Sequence, residues 1–451
     1  MKIQKQVPLT EGSILKSLTG LAVPIMISSF LGTLYNITDM AWIGLLGSKA
    51  VAAVGVGGMY VWLSQGLASL ARMGGQVHVA QCLGRGDKEQ AHRYAKTAVQ
   101  LSILLGLAFA AVSLLFTDPL VGFFKLEGVK TILDAKIYMR ITCGLILFSF
   151  LNLTLTGLYT AQGDSKTPFV ANFIGLLINL LLDPLLILGV GPFPRIEVAG
   201  AAVATVSAQF VVMLVMMVGV FRSKKEENVL KGIRLFEPFS KEELGNICKI
   251  GGPTAIQGMV YCMISMVLTR MVAAFGAEAI ATQRVGGQIE SVSWNTADGF
   301  AAALNAFVGQ NYGAKKMDRV QKGYRISFWT VAIWGALIML AFIIFPGPIA
   351  GVFFHEEKAM EIAISYLIII GFSEAFMCVE LMTIGALSGL GKTKLCSVIS
   401  ITATSMRIPL AMVLSRTSLG LDGIWWALTL TSVAKGIIFY LTFRYQMREK
   451  C

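Results

Sequence analysis

The sequence predicts an all-α polytopic membrane protein: twelve transmembrane helices in two pseudo-symmetric six-helix lobes. Three observations predict it. Hydrophobic residues fill 55% of the 451 positions and charged residues only 14%, with a mean hydropathy of +0.69, more apolar than a soluble domain of this length. Apolar runs of about 20 residues, enough for a helix to cross the hydrocarbon core, recur between short polar breaks. Blocks of the first half return in the second at an offset of about 229 residues, as repeated units do.

In chain order, the segments centre near Ser29, Leu63, Leu104, Leu147, Leu176 and Val211, then near Met263, Asp298, Trp334, Ile369, Met406 and Thr431. The stretch ahead of the first carries Lys2, Lys5 and Lys16 and runs into a full-length apolar segment without a small-residue cleavage site. We read it as a retained helix, not a cleaved leader. Pro24 pairs with Pro253, Gly47 with Gly276, Gln81 with Gln310 and Gly84 with Gly313, and a second block places Gly163 against Gly391. Each copy has an even number of crossings, so both enter from one side, the parallel kind of transporter repeat. The expected organisation is a first lobe over residues 1–222, a charged cytoplasmic connector over 223–249 lying along the interface, and a second lobe over 250–451.

Formal net charge is +12, and its placement tells more than its size. Basic residues crowd the stretches before the first segment, after each even-numbered segment and after the last, including Arg85, Lys88, Arg93, Lys224, Lys225, Lys316, Arg319, Lys392 and Lys450. By the positive-inside rule both termini are cytoplasmic. The charge reports topology, not nucleic acid. The seven cysteines show no CxxC pair, and Cys82, Cys143, Cys248, Cys262, Cys378 and Cys396 fall in or beside apolar segments, with Cys451 at the end. They read as small hydrophobes rather than disulfides or metal ligands. His78, His92 and His355 are scattered, with no HExxH, nucleophile elbow or P-loop. No enzyme activity and no cofactor is expected.

Chemistry concentrates in the first half. Asp39 sits in the first apolar segment, where an ionised carboxylate costs about 2.5–3.5 kcal/mol if deep. Either it is functional, or it is hydrated near the interface or paired with a neighbour. Tyr35 lies four residues before it, on the same helix face, and Asn179 and Asp183 repeat that spacing in the fifth segment. Asn152 in the fourth segment and Thr205 in the sixth complete a candidate polar cluster. Two carboxylates in one low-dielectric pocket cannot both stay ionised cheaply, so such a pair can take a proton on one side and release it on the other. The same oxygens can hold a monovalent cation, so sodium at Asp39 and Asp183 stays open. Pro24 and Pro184 each remove a helix hydrogen bond. Pro24 is the candidate hinge, the alternative being a static kink.

The second half offers a candidate cavity lining. Arg284 stands where the first half has Gly55; it either snorkels to water or forms a switchable ion pair with Asp39, Glu290, Glu374 or Glu380. Gln257, Tyr261, Gln288, Trp294 and Asn295 add polar and aromatic groups, and Met59 and Phe150 are candidates from the first half. Met and aromatic side chains repack around varied cationic and aromatic ligands.

The order of LYNITDMAWIGLLG, VAQCLGRGDKEQA, GLYTAQGDSKTPFVANFIGLLINLLLDPLLI and GFAAALNAFVGQNYGAKK resembles the multidrug and toxic compound extrusion (MATE) family of antiporters over essentially the whole chain. The resemblance implies a V-shaped transporter of the bacterial or archaeal inner membrane, taken as a monomer. It would export cationic or aromatic compounds in exchange for protons or sodium ions. Tyr35, Asp39, Asn179, Asp183 and Thr205 fall where proton-coupled members have their first-lobe cluster. Sodium-coupled members carry acidic residues roughly where this chain has Tyr261 and Met377, so the chain looks closer to the branch named for the DNA-damage-inducible protein F. Drugs, protons or sodium, and membrane lipids are the expected partners, with no nucleic acid. The alternative is a flippase for lipids or lipid-linked oligosaccharides, which a strongly cationic cavity would favour and the acidic Asp39 and Asp183 disfavour.

Overall fold

The computed structural model describes residues 7–126, 128–189, 194–223, 228–235, 237–238, 240–354 and 356–448, and among them every regular element is helical. Lys2, Lys5, Lys224, Lys225, His355, Lys450 and Cys451 lie outside the described residues. The first set of helices is α1 (Ile14–Gly44), α2 (Ser48–Arg85), α3 (Lys88–Leu115), the short α4 (Thr117–Gly122), α5 (Val129–Gly144), α6 (Leu147–Ala161), α7 (Lys166–Ile187) and α8 (Glu197–Arg222). The second set is α9 (Lys241–Ala273), α10 (Ala277–Gly313), α11 (Met317–Ile344), the short α12 (Pro346–Gly351), α13 (Glu357–Gly371), α14 (Glu374–Gly389), α15 (Thr393–Ser405), α16 (Arg407–Leu414) and α17 (Leu421–Arg448).

The repeat is visible in the backbone. Gly47 before α2 and Gly276 before α10 hold φ of 104° and 112°, a region where a Cβ is strained. α5 and α6 meet at 43°, and α13 and α14 at 50°. Among the described residues nine helical segments are long and apolar enough to cross a membrane, and those two bent pairs raise the number to eleven. α10 is the twelfth. Its 37 residues are long enough, but Arg284, Gln288, Glu290, Asn295 and Asp298 lower its hydropathy.

The chain divides into two compact units, Met1–Val7 with Ile27–Gly258 and Pro8–Met26 with Met259–Cys451. α1 and α9 therefore each contribute to both. In the first unit an alanine-rich core of α2 and α3, including Ala71, Ala80, Ala91, Ala95 and Ala98, packs on Leu158 and Tyr159 of α6. Small residues of this kind let helices approach closely where no hydrophobic force drives them together. Gly251 meets the Leu70 backbone so closely that a Cβ has no room.

The connector is fixed to this unit. Val229 and Leu230 are buried in the same core. His92 Nδ1 donates to Val229 O at 2.7 Å, the Val229 N–H donates to Gln162 Oε1 at 3.0 Å, and Gln100 Nε2 donates to the carbonyls of Leu235 and Glu237 at 2.9 and 2.7 Å. Lys96 pairs with Glu237 at 2.8 Å. In the second unit the chain ahead of α1 is held in a comparable way. Asn311 Nδ2 donates to Leu9 O at 3.0 Å, and Arg319 reaches the carbonyls of Leu9, Glu11 and Gly12 at 3.2, 3.2 and 2.9 Å.

Candidate functional site

In the first unit α1, α7 and α8 bring the predicted polar residues together. Tyr35 Oη donates to Thr205 Oγ1 at 2.9 Å. Asn179 Nδ2 donates to Asp183 Oδ1 at 3.2 Å and reaches Tyr35 Oη at 3.4 Å. The four-residue spacing on α7 makes the first of these contacts, since such side chains stack on one face. Asp39 is 8% exposed, and Asn179 and Asp183 are fully buried. The two carboxylates lie within electrostatic reach of each other and of Tyr35 and Tyr138.

Donors are scarce in this cluster. Asp39 Oδ1, Asp183 Oδ2 and Asn179 Oδ1 are buried without a hydrogen-bond partner. A buried polar atom left unpaired costs roughly 1–3 kcal/mol, more if charged, and a proton or a cation on these oxygens would relieve that cost. Asn152 does not join it by a hydrogen bond; its Nδ2 donates to Gln209 O at 2.8 Å. Tyr138 of α5 is a member that sequence reading missed. Its ring lies against Gly57 so closely that a Cβ there would overlap it.

The cavity candidates divide. Met59 is half-buried. Phe150 is 1% exposed and packs with Ala68, Ala110 and Ile146, so it is a core residue here, because α6 turns that face inward against α2 and α3. Gln257 is half-buried on the part of α9 that groups with the first unit. Within the second unit, Arg284 and Gln288 are exposed and Asn295 is buried. Arg284 forms no ion pair among the described residues.

The buried charges of the second unit form a network of their own. Lys435 of α17 pairs with Glu380 of α14 at 2.8 Å, each side chain 6% exposed. Glu380 is therefore a structural partner. Arg407, 7% exposed, donates from Nε to Thr431 Oγ1 at 3.0 Å and from Nη2 to Ser432 Oγ at 2.9 Å. Its guanidinium stands 6.0 Å from the centroid of the Tyr261 ring. Glu290 accepts from Tyr366 Oη and lies within electrostatic reach of Arg407 and Glu374. Both Glu374 oxygens are buried without a hydrogen-bond partner. Arg407, Lys435 and Tyr366 were not singled out from sequence, though an ionisable side chain inside an apolar segment is itself a signal.

A family model described as MatE matches residues 24–185 and 253–413, once in each repeat. The chain is 29% identical over 447 residues to the probable multidrug resistance protein NorM of Thermotoga maritima, covering 96% of this chain and 93% of the relative. It is 26% identical to the probable multidrug resistance protein YoeA of Bacillus subtilis, covering 97% and 95%. A solved MOP superfamily transporter of Pyrococcus furiosus superposes with a TM-score of 0.90 over 99% of each chain at 24% identity. At that identity the likeness is one of fold.

Proposed function

Because the chain belongs to the MatE family of membrane transporters, we propose that it exports cationic and aromatic compounds in exchange for protons, through the Asp39–Asp183 cluster of the first unit. The observation that carries the reading is the pair of buried carboxylates with fewer donors than their oxygens require. Ionised together they repel, and neither is fully hydrogen-bonded. A proton on the pair removes the repulsion, whereas an empty pair attracts a cation. The Tyr35–Thr205 and Asn179–Asp183 hydrogen bonds tie three helices to the state of the pair, so a change in charge is felt by α1, α7 and α8 at once.

Pro24 and Pro253 lie shortly before the points at which α1 and α9 pass from one compact unit to the other. Each lacks an N–H and so removes a helix hydrogen bond where bending is cheap. We assign Pro24 the role of hinge on that ground. The distribution of Lys and Arg supports a cytoplasmic side for both termini.

Sodium is the second reading, favoured by the oxygen-only character of the unpaired atoms, which suits a hard cation. Proteoliposomes loaded with a fluorescent cation and given a pH gradient or a sodium gradient separately decide between them. Efflux driven by the pH gradient alone and lost in Asp39→Asn is the expected result. Efflux driven by sodium alone would overturn proton coupling, and no movement of the cation under either gradient, with scrambling of labelled lipid, would favour the flippase.

A further inference from the structure

α11 and α17 both pack on α14 and leave a groove of about 530 Å³ between them. The two helices line it with the same pattern. On α11, Tyr324, Arg325, Phe328 and Trp329 fall one turn apart, on one helix face. On α17, Tyr440, Phe443, Arg444 and Arg448 do the same. The aromatic rings make a continuous wall. Tyr324 stacks on Phe443 with centroids 3.6 Å apart, and Phe328 meets Tyr440 at 5.1 Å and Trp329 at 5.4 Å.

Among the described residues that line the groove, the charge is of one sign. Arg325, Arg444 and Arg448 are exposed, and none forms an ion pair with a carboxylate among the described residues. Arg444 is held over the Tyr440 ring at 5.8 Å. Three guanidinium groups with no carboxylate partner among the described residues, where α11 begins and α17 ends and above an apolar aromatic wall, match one kind of molecule. We propose that this groove binds a single anionic phospholipid, its phosphodiester among Arg325, Arg444 and Arg448 and one acyl chain along Phe328 and Trp329. Guanidinium forks suit phosphate oxygens, and Trp and Tyr favour the level at which headgroup passes into hydrocarbon. Trp329 is 58% exposed, an open face for a chain to cover. A free phosphate in water uses the arginines but not the wall, which is why the occupant is a lipid.

The site is separate from the Asp39–Asp183 cluster, and its test does not depend on transport. The chain is reconstituted with equal phosphatidylglycerol and phosphatidylcholine, re-extracted in mild detergent and weighed intact by native mass spectrometry. One retained phosphatidylglycerol per chain is expected. Each arginine beside an anionic lipid is worth about fivefold in preference, so Arg325→Gln with Arg444→Gln is expected to reduce retention about thirtyfold. The exposed Lys394→Gln, outside the groove, is expected to leave it unchanged, and Arg325→Lys with Arg444→Lys to retain more than the double glutamine variant and less than wild type, because charge is kept and the planar fork is lost. Equal retention of phosphatidylcholine, undiminished retention in the double glutamine variant, or displacement of the lipid by millimolar glycerol phosphate would each overturn the proposal. A melting-temperature rise with added phosphatidylglycerol that the double variant lacks, with both proteins folded, is the supporting second readout.

Discussion

The Glu380–Lys435 pair gives the sharpest stability test. Both side chains are only 6% exposed and the contact is 2.8 Å, so solvent screening does little to weaken it. Removing one partner of such a pair strands a buried charge and costs about 3–5 kcal/mol, whereas replacing both by apolar groups of similar volume is often near neutral. Arg407 breaks the symmetry, because it lies within electrostatic reach of Lys435. Glu380→Gln leaves Lys435 beside Arg407 with no carboxylate partner of its own, so it is expected to cost more than Lys435→Met, with Glu380→Leu/Lys435→Met recovering most of the loss. At roughly 2 cal/mol/K per residue for a unit of about 200 residues, a loss of about 4 kcal/mol lowers the melting temperature by about 10 °C. Thermal unfolding in detergent across the double-mutant cycle measures it. Single variants within about 1 kcal/mol of wild type, as exposed pairs give, or a double variant as unstable as the two losses added, would show that the pair is not a buried, mutually dependent one.

Three further outcomes follow from particular contacts. Gly57→Ala puts a Cβ into the Tyr138 ring; overpacking of this kind costs about 1–3 kcal/mol, read as a lower melting temperature, and displacement of Tyr138 should also impair transport. Arg319→Ala removes three hydrogen bonds to the chain ahead of α1, so amide exchange over Thr10–Gly12 should speed up at least about tenfold. Lys96 holds the Glu237 carboxyl below the usual range of about 4.3. A depressed carboxyl contributes stability above its unfolded value that is lost as pH falls through its folded one. Cleavage of the connector by an acid-active protease should therefore rise only below about pH 4, and Lys96→Gln should abolish that pH step.

The fold was legible because hydropathy and repetition are properties of sequence. Paired glycines such as Gly47 and Gly276 hold the same positive φ in the two halves, and only α10 escapes the hydropathy test. The first-unit cluster was legible because Tyr35 with Asp39 and Asn179 with Asp183 each share a helix face. Tyr138 was not, since nothing in its own segment marks it; the clue lay in the repeat, where Gly57 meets Tyr138 as Gly286 meets Tyr366. Arg407 and Lys435 carried the plain signal of a cation in an apolar segment. Arg284, by contrast, drew attention by position and lies exposed. The connector was read by its charges, yet Val229 and Leu230 dock it, and two buried residues in a charged run leave no periodic trace. Asn152 had the right chemistry, but it satisfies a backbone carbonyl instead.

If cargo and proton compete for the Asp39–Asp183 cluster, binding of one must release the other. The most direct test adds a tight-binding cationic drug to purified protein in weakly buffered solution near pH 7 and records the pH. Protons are expected to be released in proportion to drug bound, and not in Asp39→Asn or Asp183→Asn. Drug binding without proton release in the wild type, or the same release in both variants, would contradict it.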